Sequence, residues 1–282
     1  MVGGKGHKRL VNLLTAILLA IVLIWVLFPF AWAIICSLKP MDMLYSKEAR
    51  FIPTKITLDN FRWVLSDRSF QATTKNSLVV SAMTATFSTL LALMGGYALA
   101  RFELPGKNTV VFVLLSGQML GGILLVIPLF VILSRLRLVN TYAGLVLAFS
   151  TFTVPFCTLM LRSFLANFPV ELEEAAQIDG CNKVQAFIRV ILPLSLPGIV
   201  AGWLFAFIHA WNDLLYPVVL TRNLKTMTVA VNINNMAHTQ FAGTNWSYIL
   251  AEGILATLPV VIMFTYLQQY LIQGMTQGAL KA

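Results

Sequence analysis

The sequence predicts an all-α polytopic membrane protein with six transmembrane helices, and two observations carry that prediction. Hydrophobic residues make up 58% of the 282 positions and charged residues 11%, with a mean hydropathy of +0.80. A soluble chain carries about 25% charged residues. The charges are also segregated, leaving uncharged windows long enough to cross a hydrocarbon core of roughly 30 Å as helices. The formal net charge of +9 therefore reads as topology and lipid head-group contact rather than nucleic-acid binding.

Taken in order, the predicted spans are 10–36, 77–100, 110–133, 141–162, 197–220 and 247–271. Lys5, Lys8 and Arg9 precede the first, and Ala31-Trp32-Ala33 resembles a cleavage site. The apolar run far exceeds the roughly 7–15 residues of a signal-peptide core, so residues 1–36 read as an N-terminus and an uncleaved first helix. Residues 37–76, with Pro40, Pro53 and mixed charge, form an extracytoplasmic loop. Residues 77–282 form the membrane-spanning core, with short connections at 101–109 and 134–140, a charged loop at 167–196, a polar loop at 221–246 and a tail at 272–282. Six spans place both termini on one side. The basic cluster before the first span makes that side cytoplasmic, although Lys and Arg over the whole chain do not favour either side.

Polar residues within the spans are patterned. His209, Asn212, Asp213 and Tyr216 fall at i, i+3, i+4 and i+7, one face of a continuous helix. Tyr248 and Glu252 stand one turn apart in the last span, and Ser77, Ser81, Thr84 and Ser88 mark a stripe in the second. An acid at the bilayer centre costs about 2.5–3.5 kcal/mol on the insertion scale, so Asp213 and Glu252 should face protein or a wet cavity. Two readings stand for the fifth-span face. Either it lines a polar pathway through the membrane, or Asp213 ties down the backbone freed by Pro217, and Trp211 and Tyr216 near the span end suit interfacial anchoring. For the second-span stripe, close helix packing is the expected role.

Several chemistries are excluded. Gly4-Lys5 and Gly106-Lys107 lack the rest of a phosphate-binding loop, and no nucleophile elbow or zinc spacing occurs. Leu115-Ser116-Gly117-Gln118 imitates the signature of transport ATPases, but it lacks a glycine and lies within an apolar span. Cys36, Cys157 and Cys181 show neither metal spacing nor a disulfide framework.

The stretch 171–198 is different because its features agree with one another. Pro169 suits the opening of a helix, Glu171, Glu173 and Glu174 favour its positive dipole end, and Gly180 suits its C′ position. Asn182 and Gln185 have the form of a capping box that restarts a helix. Val184, Phe187, Ile188 and Ile191 line one side of this second helix, and Pro193 should stop it. The result is a capped helix–turn–helix with an apolar stripe. The pattern alone leaves self-packing and partner docking equally open.

Glu174-Ala175-Ala176, then Gly180, then Val190-Ile191-Leu192-Pro193 resembles the EAA loop of ABC-importer permeases. Ser37-Leu38-Lys39-Pro40, Pro53, Leu58-Asp59-Asn60-Phe61, Arg101-Phe102, Pro105-Gly106-Lys107, Asn140-Thr141-Tyr142 and Trp211-Asn212-Asp213 extend the likeness to MalG-like subunits of carbohydrate importers. The ending Gly274–Ala282 is also similar, except that Ala282 stands where the family usually ends in glycine. The resemblance implies a type I importer (MetI-like) fold and no catalytic site on this chain. It implies a coupling surface of Glu174, Ala175, Ala176, Asp179, Gly180, Phe187 and Pro193, docked on an ATPase that holds ATP and magnesium. This chain then binds no cofactor or metal. The implied partners are a second, MalF-like permease, two ATPase subunits and an extracytoplasmic solute-binding protein. The setting is a bacterial or archaeal cytoplasmic membrane with both termini inside. Loop 221–246, with Asn232, Asn234, Asn235 and Asn245, is expected to face the binding protein.

No Arg or Lys lies at the centre of a span, which fits a neutral disaccharide or oligosaccharide better than a phosphorylated solute. Within the same family, a glycerol-phosphate or polyol permease is the alternative. A proton- or sodium-coupled secondary transporter would use His209, Asp213 and Glu252, but internal repeats are not evident and the acidic loop would have no role.

Overall fold

The computed structural model describes residues 5–40, 43, 55–119, 121–239 and 246–279. Pro53, Asn245 and residues 280–282 lie outside the described residues. Among the described residues every regular element is helical: α1 (Lys5–Ser37), α2 (Asp59–Ser66), α3 (Arg68–Arg101), α4 (Lys107–Met119), α5 (Gly122–Arg135), α6 (Tyr142–Ala166), α7 (Glu171–Ile178), α8 (Lys183–Leu194), α9 (Leu196–Asn212), α10 (Leu215–Leu220), α11 (Val229–Thr239) and α12 (Trp246–Ala279). Helices α1, α3, α6 and α12 each hold a stretch long and apolar enough to cross a membrane. The bent pairs α4–α5 and α8–α9 bring the crossings to six if each pair counts once.

The predicted third span, 110–133, is one of those bent pairs, turning by 101° rather than running straight. Gly121 and Gly122 stand at the break, where the low helix propensity of glycine favours a change of direction. The second span also differs, because its helix begins at Arg68 inside the predicted loop 37–76. Its 34 residues extend about 50 Å, well beyond a roughly 30 Å hydrocarbon core. That predicted loop also contains α2, and the predicted polar loop 221–246 contains α11.

The chain divides into two compact units, residues 1–67 with 235–256 and residues 68–234 with 257–282. In the first, the polar turn after α1 is held by side chains. Asn60 Nδ2 donates to the carbonyls of Ser37 (2.6 Å) and Lys39 (3.0 Å), and Ser247 Oγ donates to Lys39 O at 3.0 Å. Trp63 stacks on Tyr248 with centroids 4.4 Å apart. The apolar length of α1, by contrast, is covered by nothing among the described residues.

In the second unit α3 packs along α6 and α9. Small residues allow the approach. A Cβ on Gly96 would stand 3.0 Å from the backbone nitrogen of Arg162. The predicted stripe is buried throughout, at Ser77, Ser81, Thr84 and Ser88: Ser88 Oγ lies 2.6 Å from Thr153 Oγ1 on α6, whereas Ser77 Oγ accepts the N–H of Val229 at 2.8 Å. Ser88 thus serves helix packing, as small polar residues in spans do. Val80, Val126, Leu145, Phe149, Ala210 and Tyr216 build the apolar core beside it.

Candidate functional site

The charged loop folds as its capping residues dictate. Helix α7 ends in a Schellman arrangement, with Gly180 N–H on Gln177 O (3.1 Å) and Cys181 N–H on Ala176 O (3.0 Å). Gly180 takes φ +89°, the left-handed conformation that closes this motif. Asn182 and Gln185 then form the reciprocal capping box, at 2.9 and 2.8 Å. The predicted role of Pro193 needs correction, because α8 continues through it to Leu194. Residues Phe187–Ile191 widen into a π-helical turn, with Leu192 N–H on Phe187 O. An α-helical turn would press the proline ring onto the carbonyl four residues back, and the wider turn avoids that clash. The chain turns by 72° into α9 instead at Ser195, whose Oγ donates to Ile191 O at 2.6 Å.

The two helices divide their faces sharply. Ala176, Ala186 and Ile191 are buried, whereas Glu174, Ala175, Asp179 and Gly180 are exposed. Three large apolar residues stand out among the exposed ones: Ile178 at 86%, Val184 at 65% and Ile188 at 52%. The predicted stripe on α8 is thus split, with Ile191 facing inward and Val184 and Ile188 outward. Phe187 is half-buried and packs on Tyr97, with centroids 4.4 Å apart.

Glu173 is the residue that sequence reasoning missed. Its carboxylate turns inward to the end of α3, where Oε1 lies 2.6 Å from Arg101 Nε and Oε2 accepts from Tyr97 Oη at 2.7 Å. The Arg101 contact is a close ion pair whose angle falls outside hydrogen-bond geometry. Both side chains are deeply buried, at 8% and 11% exposure. The available signal was the i, i+3 spacing of Glu173 and Ala176, which places both on the inward face.

The predicted polar face at His209, Asn212, Asp213 and Tyr216 is broken. Helix α9 ends at Asn212, Asp213 is extended (φ −71°, ψ 129°), and Tyr216 belongs to α10. Asp213 Oδ1 accepts the N–H of Tyr216 at 3.0 Å, so this carboxylate holds the backbone ahead of Pro217. His209 lies against aromatic rings, 4.5 Å from Phe152 and 6.3 Å from Phe205. Its Nε2 is buried without a partner among the described residues. Trp211 and Tyr216 are buried, Trp211 stacking on Phe207 and Tyr216 edge-on to Phe149. Neither leaves a ring face open to a sugar within this chain. Asn212 is exposed and Asp213 half-buried. Tyr248 and Glu252 belong to the other unit, Tyr248 covered on one face by Trp63 and Glu252 fully buried.

Beside this segment, loop 221–228 is tied to the helices around it. Asn76 Nδ2 donates to Leu224 O and Met227 O at 2.8 and 2.9 Å, and its Oδ1 accepts from Tyr142 Oη at 2.5 Å. Asn140, at φ +60°, accepts from Arg222 N and Thr226 Oγ1 at 2.9 and 2.7 Å. Ser116 and Gln118 of the ATPase-like tetrapeptide bond to carbonyls of Phe112 and Phe152, as residues of a packed span do.

Residues 88–277 match the family described as binding-protein-dependent transport system inner membrane component. The chain is 35% identical to the diacetylchitobiose uptake system permease protein DasC of Streptomyces coelicolor, over 95% of each chain. It is 36% identical to the trehalose transport system permease protein SugB of Mycobacterium tuberculosis, over 94% of this chain and 96% of that one. It is 32% identical to the trehalose/maltose permease MalG of Thermococcus litoralis, over 97% of each. In fold it is similar to a chain of a bacterial ABC transporter involved in import of the acidic polysaccharide alginate, with TM-score 0.80, 21% identity and coverage of 96% and 99%. The chain belongs to the family of binding-protein-dependent transport system inner membrane components.

Proposed function

We propose that this chain is the MalG-like permease subunit of an ATP-driven importer for a neutral disaccharide or oligosaccharide. An extracytoplasmic binding protein delivers the solute, a second permease completes the pathway, and two ATPase subunits bind ATP and magnesium. Loop 167–196 is then cytoplasmic, with both termini on the same side. The transport cycle is alternating access: ATP closes the ATPase pair, the docked loops follow, and the paired permeases open outward.

One observation carries the docking role. The capped pair α7–α8 exposes Ile178, Val184 and Ile188 together with Glu174 and Asp179, with nothing among the described residues covering them. An apolar patch with acids on α7 and the exposed Lys183 and Arg189 on α8 suits a cleft with complementary charges at its edge. Ala175 is small enough to let the helix sit deep, and two capped helices joined at Gly180 supply stiffness. The carbohydrate reading rests on the named relatives and on the absence of Arg or Lys at the centre of the spans.

The test is reconstitution of the permease pair with its ATPase and binding protein in proteoliposomes, with uptake of labelled disaccharides measured against ATP hydrolysis. Glu174→Lys should abolish ATP-driven uptake while leaving the permease in the membrane. Unchanged uptake in that variant would remove the docking role.

A further inference from the structure

We propose that Tyr97, Arg101 and Glu173 form a buried latch that locks the coupling helices to the end of α3, so that α3 moves whenever the loop is moved. The inference rests on the docking role proposed for α7–α8. It concerns the next step, how displacement of that surface enters the membrane-spanning helices.

The geometry points to α3 because the latch joins three elements at one place. Glu173 belongs to α7, Phe187 to α8, and Tyr97 and Arg101 to the last turns of α3. Tyr97 serves both coupling helices, through its hydroxyl on Glu173 Oε2 (2.7 Å) and its ring on Phe187 (4.4 Å). It also meets Phe102 edge-on at 5.9 Å. Arg101 Nη2 has no acceptor among the described residues, which leaves the Glu173 carboxylate as the counter-charge of a buried cation.

A buried ion pair is poor evidence for stability, but it is strong evidence against separation. Parting the two would leave a charge stranded in a low-dielectric interior, a far larger penalty than rearranging exposed contacts. The loop and the end of α3 therefore travel as one body. From there the movement reaches the packed bundle directly, since α3 lies along α6 and α9 and meets α6 closely at Gly96. Glu174, one residue on, points outward. Adjacent acids thus divide the work, one facing the ATPase and the other facing the membrane helices.

The experiment uses the complete transporter in proteoliposomes, with sugar uptake and ATP hydrolysis measured together. Tyr97→Phe keeps the ring on Phe187 and removes only the hydroxyl, so it should fold. Glu173→Gln keeps the shape and removes the counter-charge. The expected result is retained ATPase in the purified complex and retained hydrolysis, with uptake per ATP reduced about tenfold or more, the factor for loss of one hydrogen bond to a charged group. Glu173→Asp should restore part of that ratio. Unchanged uptake per ATP in both variants overturns the latch. Loss of the ATPase from the complex in Tyr97→Phe also overturns it, because the cluster would then shape the docking surface instead of transmitting its movement. Val184→Glu reads the docking role separately. If it leaves the ATPase bound and active in transport, the docking reading fails whatever Tyr97→Phe does.

Discussion

Asp213 Oδ1 accepts the backbone N–H of Tyr216 at 3.0 Å, across a break that separates two helices. This bond explains why a span that reads as one continuous helix is interrupted. Pro217 lacks an N–H and cannot sit within a longer helix without freeing a carbonyl behind it. The carboxylate satisfies an N–H at the restart, as capping residues do.

Replacing Asp213 with Ala should therefore lower the stability of the purified transporter by about 0.5–2 kcal/mol, the usual cost of losing a capping side chain. Asp213→Asn keeps an acceptor oxygen and should unfold at nearly the wild-type temperature. Thermal unfolding in detergent measures both. Uptake by the Asn variant then separates structure from transport. Wild-type uptake assigns Asp213 to capping, and lost uptake with retained stability assigns its charge to the pathway.

The fold was legible in this sequence wherever one physical rule dominated. Long uncharged windows marked the spans, and Gly180, Asn182 and Gln185 marked the turn between α7 and α8, because caps act locally on the backbone. Breaks were harder to read. Periodicity placed His209 and Tyr216 on one face because the pattern is blind to where a helix stops. Pro193 has the form of a terminator, although a π-helical turn accommodates it. Glu173 was hidden for another reason. Its partners Tyr97 and Arg101 lie more than seventy residues away, and the charges nearby in sequence gave no hint of an inward-facing acid.

Close helix approach yields a second prediction, at Gly198. A Cβ there would stand 2.6 Å from Phe164 Cδ1 and 2.8 Å from Cγ, so Gly198→Ala requires the ring to move. Overpacking of this kind costs about 1–3 kcal/mol. Combining Gly198→Ala with Phe164→Leu should recover part of the loss, with a coupling of about 0.5–3 kcal/mol in a double-mutant cycle of unfolding temperatures. Strict additivity would show that the two residues do not meet.

Loop 221–228 depends on two asparagines, each bonded to it twice. Asn76→Asp removes both donors to Leu224 and Met227, and Asn140→Gly keeps the positive φ while removing both acceptor bonds. Each should weaken the loop by about 1–3 kcal/mol. Amide hydrogen exchange over 221–228 should accelerate in either variant, with little change at Ser88 and Thr153. Uniform acceleration throughout α3 and α6 would instead mean that the asparagines hold the bundle as a whole.

Gly180 offers a test of stiffness in the loop proposed to dock on the ATPase. Nothing among the described residues lies within 4 Å of a Cβ built there, so within this chain the cost of a side chain comes from φ +89°. An L-residue in the left-handed region costs about 1–2 kcal/mol, and Asn less than Ala or Val. Gly180→Asn should keep the Schellman closure and ATP-driven uptake, whereas Gly180→Val should open it and lower uptake per ATP hydrolysed. The order of the variants matters more than either value. If Gly180→Ala and Gly180→Val match wild type in uptake per ATP, the rigid turn between α7 and α8 has no part in coupling. If Asn retains more activity than both, backbone conformation at this one residue controls how firmly the two helices move together.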